Sequence, residues 1–434
     1  MNAPLPPAVR SVFDALDSSA IPYVVLRGYL PAGELSASPD IDVFIPASCR
    51  RRAEAVIIAA GWHPRRWQTG RFPHRFFDRY DVPGRMSTTL DVVYNLVYGT
   101  SFHRLAHATS VTRNPDRADG IAVPHPWIAA FIFALHVVLD KGTLSDANHT
   151  RAVALAALCV PPAGQRLIQE EWGPAAAEFT SAFLETVRSG NRELMPLATM
   201  AAALPCLAPQ PLNRIIDGCR VRLVRALAQP LRVAVVGLDG SGKSTLITRL
   251  SAVPSGLAFG SAYLGENNFL LRPFIAVTAL LQRRKARYGP RSGGVRVLSK
   301  MRALLLPLEL YARMRRAEAW SAIVLYDRYP FPVYEREHPL SSPGAIAMRI
   351  YERCWTWLLP QPDVLWWCDG DPETVWARKR EYPFPEFVRG RERLKALFDG
   401  FRGEKHVVRT DRPVEETIAT AVALLQQTLE ARHR

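Results

Sequence analysis

The chain has 434 residues, 48% of them hydrophobic, and 55 Lys and Arg against 40 Asp and Glu give it a formal net charge of +15. That length accommodates two or three domains and that apolar share supplies a sizeable core, which excludes a disordered or fibrous chain. Six cysteines, at 49, 159, 206, 219, 354 and 368, stand apart with no C-x-x-C pair, which excludes a disulfide framework and fits reduced thiols in a cytosol. The basic excess suits phosphorylated substrates, an anionic membrane face or nucleic acid, and a merely solvated basic surface accounts for it equally well.

The first residues, MNAPLPPAVRSVFDAL, lack a basic stretch followed by an apolar one, so a cytoplasmic location is expected. Over residues 1–120, strand-like runs at 23–27, 41–45, 76–80 and 88–94 alternate with a helix near 48–60. Val24-Val-Leu-Arg-Gly28-Tyr29 followed by Asp40-Ile-Asp42-Val-Phe-Ile reads as strand, turn, strand. Alternation in DIDVF puts Asp40 and Asp42 on one sheet face. Asp91, in another strand-like run, supplies a third carboxylate. Such a trio can hold a pair of magnesium ions for in-line displacement at a nucleotide phosphate. A lone D-x-D is common on surface strands; the ordered set of Gly28, Asp40, Asp42 and Asp91 is more specific.

That set resembles the nucleotidyltransferase superfamily with the DNA polymerase β-type core. It is most similar to an uncharacterised bacterial branch in which an LKG-like turn leads to DIDxxV, then to Gly-Trp (here Gly61-Trp62), then to a helical half. The resemblance implies an α+β domain over 1–120 with Asp40, Asp42 and Asp91 as metal ligands. Tyr29 stands where the family carries Ser or Gly, so an active transferase and a substrate-binding domain without activity both stay open. His103, His107 and His136 could assist chemistry, but core or capping roles account for each more simply.

Residues 121–228 are Ala- and Leu-rich, helical in pattern and broken by prolines, and read as a helical connector with an apolar helix at 127–139. The stretch 194–213 carries no charge from Leu194 onward, but prolines at 196, 205, 209 and 211 break any helix of spanning length. It is expected to be a helix end and linker.

The most specific motif follows. Residues 232–236 read as a short buried strand and 244–250 open a helix. Between them Gly237-Leu-Asp239-Gly240-Ser241-Gly242-Lys243-Ser244-Thr245 has the G-x-x-x-x-G-K-[ST] spacing of a phosphate-binding P-loop. Glycines let backbone N–H groups turn toward phosphate oxygens, and the helix N-terminus adds partial positive charge. Lys243 is expected to reach the β/γ-phosphates and Ser244 to ligate magnesium. Residues 283–292, RRKARYGPRS, read as a basic surface loop.

A second apolar run ends in Asp327-Arg328-Tyr329, placing a carboxylate at a strand's C-terminal end, where ligands bind in parallel sheets. Asp327 can hold magnesium while Arg328 clamps a phosphate. A third run, 364–368, leads through Asp369-Gly-Asp371-Pro-Glu into a capped helix. Arg378, Lys379, Arg380, Arg389, Arg391 and Arg393 then cluster about EYPFPEF, as in a lid that closes over a triphosphate.

Residues 229–434 therefore resemble the thymidylate kinase family of P-loop phosphotransferases. The likeness rests on GLDGSGKST, the strand ending in DRY, DGDPETVWARKR, and a late strand at 406–409 followed by Thr410-Asp411. It implies ATP and Mg2+ as cofactors, held by Lys243, Ser244 and Asp327. Asp239 would face the acceptor, Arg328 would clamp phosphate, and Arg378 and Arg380 would open the lid. Val236 stands where the family has Glu, and residues 263–269 do not match its REPGG-like segment. Both departures fall on the acceptor side.

The expected architecture is thus an α/β multidomain chain: an α+β nucleotidyltransferase-like domain, a helical connector, and a parallel α/β kinase domain. The leading reading is an ATP- and Mg2+-dependent phosphotransferase acting on a small hydroxylated metabolite, sugar or nucleotide, in a setting such as surface-polysaccharide precursor assembly. A peripheral, regulatory nucleotide-binding protein with inactive domains, docked on anionic lipid through residues 213–227 and 283–291, is one alternative. A true thymidylate kinase is another. Nucleic acid has only charge behind it, and a homodimer is compatible with the sequence.

Overall fold

The computed structural model describes residues 5–26, 40–65, 74–82, 84–227, 229–265, 269–289, 292–319, 321–331, 359–380 and 383–433. Gly28 and Tyr29, Arg291, and residues 381–382 of the expected lid lie outside them, as do residues 266–268. The chain packs as two compact units, Met1–Arg225 with Pro254–Gly256, and Ala226–Val253 with Leu257–Arg432.

Unit 1 begins with α1 (Pro7–Ser18), whose Val9, Val12, Phe13 and Leu16 are buried at helical spacing behind a proline in the first turn. Strands β1 (Val24–Val25), β2 (Asp40–Phe44), β3 (His63–Pro64), β4 (His74–Arg79) and β5 (Thr88–Val93) form one mixed sheet in the order β1-β2-β5-β4-β3. Helix α2 (Arg50–Ala59) lies between β2 and β3 in sequence. The β2–β5 pair is parallel, with Asp40 opposite Thr89 and Asp42 opposite Asp91.

Short strands β6 (Val97–Tyr98) and β7 (His103–Leu105) and the hairpin β8 (Asp116–Ala118) and β9 (Ile121–Val123) follow. Helix α3 (Pro126–Leu135), buried at nearly every position, passes into a π-helical turn at His136–Lys141. Around α3 pack α4 (Asp146–Leu158), α5 (Ala163–Trp172) and α6 (Pro174–Arg188). One apolar core runs from Leu5 to Leu207, so the helical segment shares its core with the first 120 residues. The uncharged stretch at 194–213 is more ordered than a linker. It holds α7 (Met195–Ala202) and β10 (Leu207–Ala208), which pairs antiparallel with β7. Helix α8 (Pro211–Leu227) ends the unit.

Unit 2 is built on five parallel strands, β11 (Leu231–Val236), β12 (Phe259–Tyr263), β13 (Ile323–Asp327), β14 (Val364–Asp369) and β15 (Glu404–Arg409), in the order β12-β13-β11-β14-β15. Strands flanked by helices on both faces read as continuous apolar runs, and β13 and β14 are buried at every position. Trp366 at the centre is fully buried; its truncation to alanine costs about 3–5 kcal/mol. Helix α9 (Lys243–Ser251) follows β11, and α10 (Arg272–Tyr288) and α11 (Gly293–Glu318) lie between β12 and β13 in sequence and pack on each other. Helices α12 (Pro372–Arg378) and α13 (Phe384–Gly400) connect β14 to β15, and α14 (Val414–His433) closes the chain.

Two expectations change here. Residues 283–288 continue α10 rather than forming a loop, because Arg, Lys and Ala are good helix formers and the helix stops only at Gly289, φ 75°. Arg389, Arg391 and Arg393, expected on a mobile segment, lie on the regular helix α13.

Candidate functional site

Strand β11 lies between β13 and β14, so chain connections leave it in opposite directions and open a crevice at its C-terminal end. The P-loop fills that position. At Gly237 any Cβ would press on Ser241 Oγ and lie 2.7 Å from the Cys368 carbonyl; at Gly240, φ 87°, it would lie 2.9 Å from the Val375 carbonyl. The loop is therefore clamped between the end of β14 and α12, and only glycine fits at these two points. Gly242 caps α9 from the left-handed region, φ 80°.

Lys243 is buried, and its Nζ donates to the carbonyls of Gly237 and Leu238, both at 2.8 Å. Burial lowers its pKa, against the opposing pull of Asp239 and Asp327. Ser244 Oγ donates to Asp327 Oδ2 at 3.4 Å. Burial also raises the Asp327 carboxyl above its ordinary value, with Lys243, Arg328 and the Ser244 hydroxyl pulling it back. Asp327 Oδ1 and Ser241 Oγ are buried with no hydrogen-bond partner among the described residues. Both atoms keep capacity for a further hydrogen-bond or metal partner. A hydroxyl beside a carboxylate with a spare oxygen is a donor set of the hard-oxygen kind that Mg2+ takes.

Arg328 adopts a left-handed backbone, φ 61°, a conformation that costs energy for a side-chain-bearing residue and concentrates at functional turns. The turn aims its guanidinium at the P-loop. Nη2 donates to Asp239 Oδ1 at 2.6 Å, and the group lies 5.7 Å over the Tyr263 ring. Asp239, Lys243, Ser244, Asp327 and Arg328 are thus brought together. Thr245 is exposed on the first turn of α9.

The arginines beyond β14 are held elsewhere. Arg378 Nη2 donates to the Thr410 carbonyl at 2.9 Å, and Arg380 lies 5.2 Å over the Trp376 ring. Arg391 forks onto Asp369 at 3.0 and 2.7 Å, an ion pair not apparent from spacing because 22 residues separate the partners. Asp371 caps α12 by accepting from the Thr374 amide at 2.9 Å, and Arg409 holds Asp411 down to a pKa of about 2.

Two residues beside the end of β12 give little sequence signal. Fully buried Glu309 accepts from Leu270 N, from Leu271 N at 2.7 Å and from Arg313 Nε at 2.7 Å, while Arg313 Nη1 donates to the Tyr263 and Gly265 carbonyls at 3.0 Å. This pair ties α11 to the end of β12. Only the i, i+4 spacing of Glu and Arg in an otherwise apolar and basic helix hinted at it.

In unit 1 the three expected carboxylates lie on neighbouring strands, Asp42 beside Asp91 and Asp40 one step away on its face. Asp91 is engaged by His74, Nδ1 lying 2.8 and 2.9 Å from its two oxygens. Arg65 forks onto Asp78 and donates to Thr89 Oγ1 at 2.8 Å, next to Asp40 in the sheet. Among the described residues no group of three or more His, Cys, Asp or Glu side chains is arranged to hold a metal ion. The expected trio is thus aligned by register, with the His74 ring on Asp91 at one end and Arg65 on Thr89, opposite Asp40, at the other. His136 pairs with Asp140 Oδ2 at 3.1 Å within the π-helical turn, and His107 adopts φ 51°. A cavity of about 470 Å³ in this unit is bordered by Phe44, Tyr94, Arg104 and His107, apart from the carboxylates.

No protein-family model matches the chain, and no curated protein matches it either. Among solved structures it is similar to a deoxyadenosine kinase from M. mycoides solved with bound dATP, at 13% identity over 45% of this chain and 98% of that one, with a TM-score of 0.31.

Proposed function

We propose that unit 2 is an ATP-dependent phosphotransferase of the thymidylate-kinase type that moves the γ-phosphoryl group to a hydroxyl or phosphate of a small acceptor. The observation that carries this reading is the convergence of Lys243, Ser244 and Asp327 at the C-terminal ends of β11 and β13, with buried oxygens awaiting partners. On ATP binding Lys243 exchanges its two loop carbonyls for phosphate oxygens. Mg2+, held by Ser244 and Asp327, would neutralise charge on the triphosphate. Arg328 stands between the P-loop and Tyr263 and clamps the transferred group, while Asp239 orients the acceptor hydroxyl. All act by position and charge, which is what phosphoryl transfer requires.

Unit 1 is read as a nucleotidyltransferase-like domain on the strength of Asp40, Asp42 and Asp91 sharing a sheet face in register. It recognises or transfers a nucleotide, and the pairing of two such domains suits activation of a small sugar or polyol. The deciding experiment measures ATP consumption by the whole protein against nucleoside monophosphates, sugars and polyols. Acceptor-dependent ADP formation that disappears in Lys243→Ala is the expected result. ADP formation unchanged by that substitution removes the assignment.

A further inference from the structure

The helical pair α10–α11 carries a surface that phosphoryl transfer does not use. Between Glu266 and Glu309 the sequence contains no acidic residue and nine Lys and Arg. Along α11, Val297, Met301, Leu304, Leu308 and Tyr311 are all exposed, Leu304 by 62%. Their spacing of four, three, four and three places them on one face of the helix. On α10, Ile275, Leu280 and Tyr288 are exposed as well. Exposed cations border these apolar residues: Arg283, Arg284, Lys285 and Arg287 at the end of α10, and Arg296 and Lys300 on α11. Arg284 and Arg287 both fold over the Tyr288 ring, at 5.8 and 5.3 Å, so stem and charge frame the aromatic.

We propose that this pair docks on a membrane surface bearing anionic lipid headgroups, its apolar stripe entering the headgroup–acyl boundary and its cations meeting the lipid charge. The inference is independent of the phosphotransferase reading. Charge complementarity selects the occupant. A second copy on a two-fold axis would set each cation cluster against a like-charged face, and water leaves five large apolar side chains in a row without a partner. An interface that is apolar in the middle, negative at its edge and indifferent to register satisfies both features. Among the described residues no helix is long and apolar enough to cross a membrane, so the attachment is a peripheral one. Helix α8 repeats the chemistry: Leu212, Ile215, Ile216 and Leu223 are exposed on it, Arg214 is exposed beside them, and its one acid, Asp217, is buried against Arg220 at 3.0 Å.

The test is flotation of the full-length protein with vesicles of phosphatidylcholine alone and of phosphatidylcholine mixed with phosphatidylglycerol. Binding to the mixed vesicles only, weakened by salt, is expected. Arg283→Gln with Arg284→Gln should weaken partitioning by about fivefold per cation removed, and Leu304→Ser with Leu308→Ser should release the protein at low salt too. Both variants should keep wild-type ATP turnover and melting temperature, which separates lost docking from lost folding. Equal recovery with both vesicle types overturns the proposal. So does a salt-stable dimer by light scattering that the Leu304 and Leu308 variant dissolves, or retention on single-stranded RNA in place of lipid.

Discussion

The P-loop site of unit 2 and the acidic row of unit 1 are built from similar material and differ in the side chains that face their carboxylates. Around Asp327 the neighbouring cations and hydroxyl belong to groups that can turn to a ligand: Lys243 rests on two carbonyls, and Ser244 makes a long bond of 3.4 Å. Around Asp91 and Asp78 the partners are the protein's own side chains, His74 at 2.8 Å and Arg65 at 2.8 Å and closer. A carboxylate already bonded to a protein side chain must give that partner up before it takes a ligand. The first arrangement leaves its groups able to turn to phosphate, while the second sets a histidine on the carboxylate.

Breaking the P-loop side of the comparison gives the largest effect. Lys243→Ala should lower ATP turnover by about 10³-fold, read in a coupled ADP assay, with the circular dichroism spectrum retained. Residual turnover within a few-fold of wild type contradicts the role given to the lysine.

Next comes Asp327→Asn, with a loss in kcat of about 10²-fold and little change in KM for ATP. The same substitution should raise the melting temperature of the ligand-free protein at neutral pH. The sign follows from the raised folded-state pKa. The folded protein holds that proton more tightly than the unfolded chain, so the stability is complete below the unfolded value and is lost as pH rises through the folded one. Turnover runs the other way, rising through the same window. Arg328→Ala should match the kcat loss; a pure KM effect would make it a binding group only.

Thymidylate should be turned over far below the kinase range of about 1–100 per second. A base-reading pocket depends on its polar groups finding the right partners. Val236 and the segment at Tyr263, to whose carbonyl Arg313 donates, depart from the thymidylate kinase sequence pattern. Turnover within that range would show that the divergence leaves base recognition intact.

The smallest effect sharpens the comparison from the other side. Asp40→Asn with Asp42→Asn should leave ATP turnover within about twofold while removing any magnesium-dependent nucleotidyl transfer. Calorimetry of the full chain with Mg2+ checks whether unit 1 binds the ion at all, and His74→Ala should tighten that binding by freeing Asp91.

What could be read in advance depended on how local its cause was. The P-loop is one strand, one turn and one helix, and the ends of β11, β13 and β14 fall within a residue of the apolar runs that announce them. The shared face of Asp40 and Asp42 followed from alternation, while the pairing that sets Asp42 beside Asp91 came only with the sheet. What escaped was decided by partners distant in sequence. His74 reaches Asp91 from a neighbouring strand, Arg391 finds Asp369 across a helix, and β10 forms only because β7 offers an edge. The basic run at 283–288 misled for another reason: its cations suggest solvent, which is true, but a solvated face is fully compatible with helix.

One feature of both units gives them separate chemical reporters. Cys159 and Cys206 are buried in unit 1, each pushed up to a pKa of about 11, and Cys368, beneath the P-loop in unit 2, is pushed up to about 12, all by burial. At neutral pH they are protonated and shielded, and a thiol-selective alkylating reagent reaches them only when the surrounding structure opens. Cys219 is exposed and labels at once. The order in which the buried thiols gain mass with rising denaturant therefore ranks the opening of the two units. ATP should delay Cys368 alone, which makes a single cysteine an assay for ligand at a site whose acceptor is still to be named.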